Sequence, residues 1–225
     1  MSMNKEFKNF KNVDPLDIAD VLTKIERSFN ITLDNEGLEK ATTFKSLCDL
    51  ITSKINQEHA DTCTTQQAFY KLRCAIANVT VAEKCSITPN SRLSKLFPRE
   101  DRLRVMAEIE QELGFETRLL QPKGWVIGFF VLTLLASSIG FFFKWEIAAA
   151  GCLASVLGLK LAGKFGKEIH LKTVGDLANK ISRESYVKAR RNPTVNKNEI
   201  EQKVRELFAH ELNLEPILLT KRSQF

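Results

Sequence analysis

The chain has 225 residues, with 33 Lys and Arg against 27 Asp and Glu for a net charge of +6, and a mean hydropathy of −0.17. The basic residues are dispersed and do not form a stripe with interleaved aromatics, which excludes the usual footprint of a nucleic-acid surface. Five cysteines (Cys48, Cys63, Cys74, Cys85, Cys152) are odd in number and form no C-x-x-C pair, which fits reduced thiols rather than a disulfide framework.

Residues 1–12 are charged and lack an apolar core, so no secretory signal is expected. Asp14 followed by Pro15 predicts a helix start, because Asp caps free N–H groups and Pro suits the first helical position. Behind it Ile18, Val21, Leu22, Ile25 and Phe29 recur at helical spacing. Residues 30–40, with Asn35-Glu36-Gly37, read as a loop. Phe44, Leu47, Ile51 and Ile55 predict a helix over 43–55, and residues 56–65 are polar. Phe69, Leu72, Ile76 and Val79, all expected inward, place a helix over 66–79; residues 80–97 read as irregular. Leu103, Met106, Ile109 and Leu113 define one face of a helix within 98–113. Further on, a helix begins near Thr173 and ends about residue 182, and residues 188–198 read as a basic linker. Ile200, Val204, Leu207, Phe208 and Leu212 align on a last helix over 199–212. No alternating strand pattern of any length occurs, so the soluble part is expected to be all-α.

Between these helices, residues 125–143 run for 19 positions without Asp, Glu, Lys, Arg or His. As a helix that is about 28 Å, close to the hydrocarbon thickness of a bilayer. Lys144-Trp145-Glu146 interrupts the run and residues 147–159 resume it; Lys160 can snorkel and let it continue through 163. The expectation is a transmembrane helical hairpin over 124–163. Trp125 and Trp145 take interfacial positions, and Gly124/Gly128 and Gly151/Ser155 are spaced for close helix contact. A hairpin buried in a large soluble core is the alternative, but such helices normally keep a polar stripe and the first run has none. Arg118, Lys123, Lys160, Lys164, Lys167 and Lys172 flank the outer ends. They predict an integral membrane protein with both termini cytoplasmic, in contact with anionic headgroups. Membrane lipids are therefore an expected partner. Homo-oligomerisation stays open; transport is not expected, since Lys160 is the one Asp, Glu, Lys, Arg or His within the runs.

Three short matches recur in consistent order. Ile25-Glu26-Arg27-Ser28-Phe29-Asn30-Ile31 resembles Ile109-Glu110-Gln111-Glu112-Leu113-Gly114-Phe115. Thr43-Phe44-Lys45-Ser46-Leu47 with Ile51 resembles Thr173-Val174-Gly175-Asp176-Leu177 with Ile181. Ile87-Thr88-Pro89-Asn90-Ser91-Arg92-Leu93 resembles Leu219-Thr220-Lys221-Arg222-Ser223-Gln224-Phe225. The simplest account is one small helical module used twice, with the hairpin inserted in a loop of the second.

Asp14-Pro15-Leu16-Asp17 and the helix that follows to Leu33 resemble the acyl carrier protein family. There an Asp-Ser-Leu-Asp motif opens the second helix and an acidic-Phe-Gly-Ile pattern closes it. Lys40-Ala41-Thr42-Thr43-Phe44 is similar to the family's short third helix and the threonine before its last one. Residues 199–212 with Leu219-Thr220 are similar to its first helix and the loop after it. The resemblance implies small four-helix carrier-like modules plus the transmembrane hairpin. Residues 1–56 would hold the later helices of one module, and 195–225 the first helix and loop that complete it. Residues 66–121 with 165–185 would form a second module, with the hairpin at 124–163 inserted. In the family a serine carries phosphopantetheine through a phosphodiester. Pro15 stands at that position and has no hydroxyl, and the comparable Phe97-Pro98-Arg99-Glu100-Asp101 has no serine. No phosphopantetheine attachment and no other cofactor is expected. The resemblance leaves Asp14, Leu16, Asp17 and Asp20 as a candidate partner-docking face, mixed with Lys24 and Arg27; a merely solvated helix face is the alternative.

No catalytic set emerges. His59, His170 and His210 lie far apart with no paired carboxylate spacing, and no Gly-rich phosphate loop, nucleophile elbow or H-E-x-x-H is present. Cys63, Cys74 and Cys85 recur every 11 residues, which suits neither zinc nor redox chemistry. Neither a metal nor a catalytic residue is expected. The expected function is a membrane-anchored, non-catalytic carrier-like protein that scaffolds or regulates lipid- or fatty-acid-synthesis enzymes at the cytoplasmic face. The alternative is a membrane structural or signalling protein whose helical domains are unrelated to acyl transfer.

Overall fold

The computed structural model describes residues 7–9, 13–80, 83–140, 145–192, 194–214 and 219–224. Among these the chain is mainly helical. The elements begin with β1 (Phe7–Asn9), α1 (Pro15–Phe29), α2 (Asn35–Lys40), α3 (Phe44–Lys54), β2 (Glu58–His59) and α4 (Thr64–Thr80). There follow α5 (Leu93–Leu96), α6 (Arg102–Leu113), β3 (Leu120–Gln121), α7 (Gly124–Gly140) and α8 (Trp145–Phe165). The last are β4 (Glu168–Ile169), α9 (Val174–Glu184), α10 (Tyr186–Ala189), β5 (Thr194–Val195), α11 (Lys197–Glu211) and β6 (Leu219–Gln224). They form two compact units, Met1–Cys74 with Gly175–Phe225, and Ala75–Val174.

In the first unit, α1 starts as its sequence requires: Asp14 accepts a hydrogen bond from the Leu16 N–H at 2.9 Å and Pro15 occupies the first turn. It ends at Asn30, a left-handed residue whose N–H returns to Glu26 O. The segment read as a loop holds α2. That helix has no apolar period; it is held by Asp34, which accepts from Gly37 N–H at 3.0 Å and pairs with Lys54. α3 opens on a reciprocal cap between Thr43 and Ser46. Val21, Ile25 and Phe29 of α1, Phe44, Leu47 and Ile51 of α3, and Ile200, Val204, Leu207 and Phe208 of α11 are buried in one cluster. Phe44 meets Phe208 edge-on with centroids 6.0 Å apart, and Phe29 stacks on Tyr186 at 4.9 Å. Burying each such side chain stabilises by about 1.5–3 kcal/mol, so this core outweighs the partly exposed ion pair of Lys24 with Glu211 that also links α1 to α11.

Among the described residues strands do occur, as three two-stranded pairs; five of the six strands have only two or three residues, too few to show alternation in the sequence, and the longer β6 (LTKRSQ) does not alternate. β1 runs parallel to β6 and β2 parallel to β5, while β3 is antiparallel to β4. Residues 188–198 are likewise no linker: the end of α10, β5 and the start of α11 fall there. Arg190 is 3% exposed. Its guanidinium donates to the carbonyls of Thr62 (3.0 Å) and Ala60 (3.3 Å) and to the hydroxyls of Thr62 (2.7 Å), Thr64 (2.6 Å) and Thr194 (3.1 Å). Beside it the Tyr186 hydroxyl accepts from Asn196 N–H at 2.9 Å and donates to Asn196 O at 3.2 Å. On α4, Ala68, Leu72, Ala75 and Ile76 are buried, whereas Phe69 and Val79 are half-buried.

In the second unit Val105, Met106, Ile109 and Leu113 of α6 are buried, and the helix ends at left-handed Gly114. Leu103 is half-buried while Arg102 is buried. Two local turns are shared with the first unit. Glu110 Oε1 accepts from Thr117 N–H at 2.7 Å, as Glu26 Oε1 does from Leu33 N–H at 2.6 Å. Ser91 Oγ accepts from Thr88 N–H at 2.9 Å, as Ser223 Oγ does from Thr220 N–H at 3.1 Å.

Candidate functional site

α7 and α8 pack against each other along a seam of small residues. A Cβ at Gly140 would stand 3.5 Å from Ala148 Cβ, a Cβ at Gly151 would overlap the Ser137 hydroxyl, and one at Gly158 would overlap the Phe130 ring. Thr133 and Ser155 bring their hydroxyls within 2.9 Å. The partners rise along one helix as they fall along the other, so the two are antiparallel. On each helix the seam positions are three or four residues apart, as side chains meshing between near-parallel axes require. Each hydroxyl also reaches a carbonyl of its own helix, Phe130 O at 2.9 Å and Gly151 O at 2.8 Å. Gly151 and Ser155 thus lie in the contact, whereas a methyl group placed on Gly124 or Gly128 would meet nothing within 4 Å.

Apart from Phe130, most of the large side chains point the other way. Trp125, Phe129, Leu132, Leu135 and Ile139 of α7 are exposed, as are Trp145, Ile147, Leu153, Leu157, Leu161 and Phe165 of α8. Among the described residues α8 is the one helix long and apolar enough to cross a membrane, with 21 residues and 11% of its apolar window buried in the protein. α7 has 17 residues. From the sequence the longer span is expected in the first run; residues 141–143 at its end, and Lys144, lie outside the described residues.

The two helices are closed off at their outer ends by β3 and β4, with Leu120 opposite Ile169 and Gln121 opposite Glu168. Gly166 presses on the backbone of Gln121 and Pro122, where any Cβ would clash. Arg102 donates from Nε to Phe97 O at 3.1 Å and from Nη1 to Lys167 O, and Arg99 pairs with Glu168 at 2.8 Å.

The candidate docking residues lie on the first turns of α1. Asp14, Asp17 and Asp20 are exposed, and Leu16 is 75% exposed. Pro15 is exposed beside them and offers no hydroxyl; Ser28, at the other end of the helix, is buried and donates to Arg183 O at 2.7 Å. Among the described residues no group of three His, Cys, Asp or Glu side chains could hold a metal. Burial pushes the Cys48 thiol up to about 12, away from the thiolate that nucleophilic chemistry needs. His59 pairs with Asp61 at 2.9 Å while its Nδ1 accepts from Lys197 N–H; both roles are structural. An open cleft of about 600 Å³ in the first unit is lined by Asn179, Arg183, Glu206, His210 and Asn213, with no Ser, Thr or Cys among its described lining residues. No family model, curated protein or solved structure matches the chain.

Proposed function

We propose that the chain is a membrane-anchored, non-catalytic protein whose helical modules scaffold or regulate lipid- or fatty-acyl enzymes at the cytoplasmic face. The observation that carries the anchor is the inversion of the hairpin, with hydroxyls and glycines between its helices and Leu, Ile, Phe and Trp outside. In water each outward side chain forgoes the stabilisation of burial, about 1.5–3 kcal/mol. In a bilayer Leu, Ile and Phe are favourable by roughly 0.3–0.6 kcal/mol each at the helix centre, and Trp favours the interface. Because β3 and β4 join the ends of the hairpin, both flanks leave on one side, and Lys123, Lys164, Lys167 and Lys172 favour the cytoplasm for that side.

The carrier-like reading draws on α11, α1 and α3, which share one core in the first unit, and on α2 beside α3. Taken from α11 they stand in the order of a carrier's four helices. The shared turns at Glu26 and Glu110, and at Ser91 and Ser223, support one module used twice. Asp14, Leu16, Asp17 and Asp20 then form the docking face, and Pro15 leaves no oxygen for a phosphodiester.

The test is alkaline extraction of native membranes followed by intact mass in detergent. Retention in the pellet with the bare-chain mass is expected. Release into the supernatant removes the anchor, and a mass raised by phosphopantetheine removes the non-loading reading. A detergent pull-down that yields no lipid-synthesis enzyme favours a structural or signalling role.

A further inference from the structure

We infer that the outer end of the hairpin is a selective site for the headgroup of an anionic phospholipid, an inference that rests on the membrane reading above. A cleft of about 230 Å³ lies there, lined by Val126 and Phe165 on its apolar side and by Lys123, Lys167, Arg99 and Glu168 on its polar side. Arg99 and Glu168 neutralise each other at 2.8 Å. Lys123 and Lys167 make no ion pair among the described residues, so the cleft keeps two free ammonium groups.

The frame that holds them is fixed. Lys167 follows Gly166, whose close approach to Gln121 and Pro122 admits no side chain, and its carbonyl is taken by buried Arg102. The Lys123 carbonyl accepts from Val126 N–H at 2.9 Å as α7 begins. An inorganic phosphate would satisfy the two ammonium groups and leave Val126 and Phe165 in water. A phospholipid covers both halves, its phosphate on the lysines and its glycerol and upper acyl chain on the apolar wall, at the level where a hairpin meets the headgroups. That match of charge and apolar surface in one cleft selects the lipid over the free ion.

The chain has two tryptophans, one near each end of the hairpin, and this provides an internal control. The full chain is reconstituted into phosphatidylcholine vesicles containing phosphatidylglycerol, with either lipid brominated to quench fluorescence. W145F reports Trp125 beside the cleft and W125F reports Trp145. At Trp125, quenching by brominated phosphatidylglycerol should exceed its share of the bilayer by at least about fivefold, the order expected from a single lysine near the surface; at Trp145 it should track that share. K123Q/K167Q should bring Trp125 down to the bulk share, while K164Q, outside the cleft, should keep the excess. Trp125 tracking the bulk share in the native chain overturns the site and leaves the anchor standing. Loss of the excess in K164Q overturns it in favour of diffuse charge, and loss on adding millimolar inorganic phosphate overturns it in favour of a free-anion site. No quenching of either tryptophan by any brominated lipid overturns the membrane reading, and this inference with it.

Discussion

In the first unit Phe29, Phe44 and Phe208 have no exposed surface while Asp17, Asp20 and Lys45 face outward; in the hairpin Leu132, Ile139 and Leu153 face outward while Thr133 and Ser155 face each other. The contrast identifies what drives each pair of helices together. Water drives α1, α3 and α11 to share large apolar side chains, because removing apolar area from water is the favourable term. Nothing comparable acts between α7 and α8 if lipid surrounds them, so their contact depends on close backbone approach and hydroxyl pairing, which glycine, alanine, serine and threonine allow. Gly151 and Gly158 do for the hairpin what Phe44 and Phe208 do for the bundle.

The strongest way to break that comparison is to put charge on the outer surface of the hairpin. Leu132→Lys with Leu153→Lys adds two ammonium groups near mid-span, each costing about 2.5–3.5 kcal/mol there. Surface lysines on a soluble helix would be nearly neutral. The expected result is loss of the chain from the alkaline-extracted pellet, with the melting temperature of the first unit unchanged by circular dichroism. A double variant that stays in the pellet would mean that lipid does not surround α7 and α8.

The converse change belongs in the bundle. Phe29→Ala removes a ring that stacks on Tyr186 in a fully buried site and should destabilise the first unit by about 3–5 kcal/mol in urea, with membrane retention unchanged. Arg190→Met keeps the volume but leaves the oxygens of Ala60, Thr62, Thr64 and Thr194 without their donor, and should cost about 2–4 kcal/mol. A milder effect would make the guanidinium replaceable by water.

These two sites differ in how far the sequence announces them. Phe29 sits on the helical period behind Asp14-Pro15, and that period with the Asp14 cap makes α1 legible in the sequence, as the spacing of Phe44, Leu47, Ile51 and Ile55 does for α3. Arg190 lies in a run that reads as solvated charge, because its partners Ala60, Thr62 and Thr64 are more than a hundred residues away and carry no mark of the contact. α2 is hidden for a related reason: the Asp34 cap and Lys54 hold it, not an apolar stripe. In the hairpin the apolar length and the Gly151/Ser155 pair are legible. Gly124/Gly128 has the same spacing and no contact, since spacing alone does not say which face meets the other helix. The cleft at Lys123 and Lys167 depends on the antiparallel register, which the sequence of either helix alone does not contain.

The smallest effect sharpens the bundle side of the comparison by asking whether charge adds to its core. Burial by itself would raise the Glu211 carboxyl, but the Lys24 hydrogen bond and charge outweigh it and hold the group below its ordinary value. A carboxyl lowered on folding stabilises above its unfolded value, about 4.3, and that contribution is lost as the pH falls through the folded value. At pH 7, Glu211→Gln should therefore be less stable than the native chain by about 0.5–1 kcal/mol, the range of a partly exposed pair. As the pH falls and the folded carboxyl becomes protonated the difference should shrink towards zero, as read from urea midpoints over a descending pH series. Equal midpoints at pH 7 would mean that Ile200, Val204, Leu207 and Phe208 alone hold α11 to α1 and α3, and that the ion pair only decorates a contact the apolar side chains have already made.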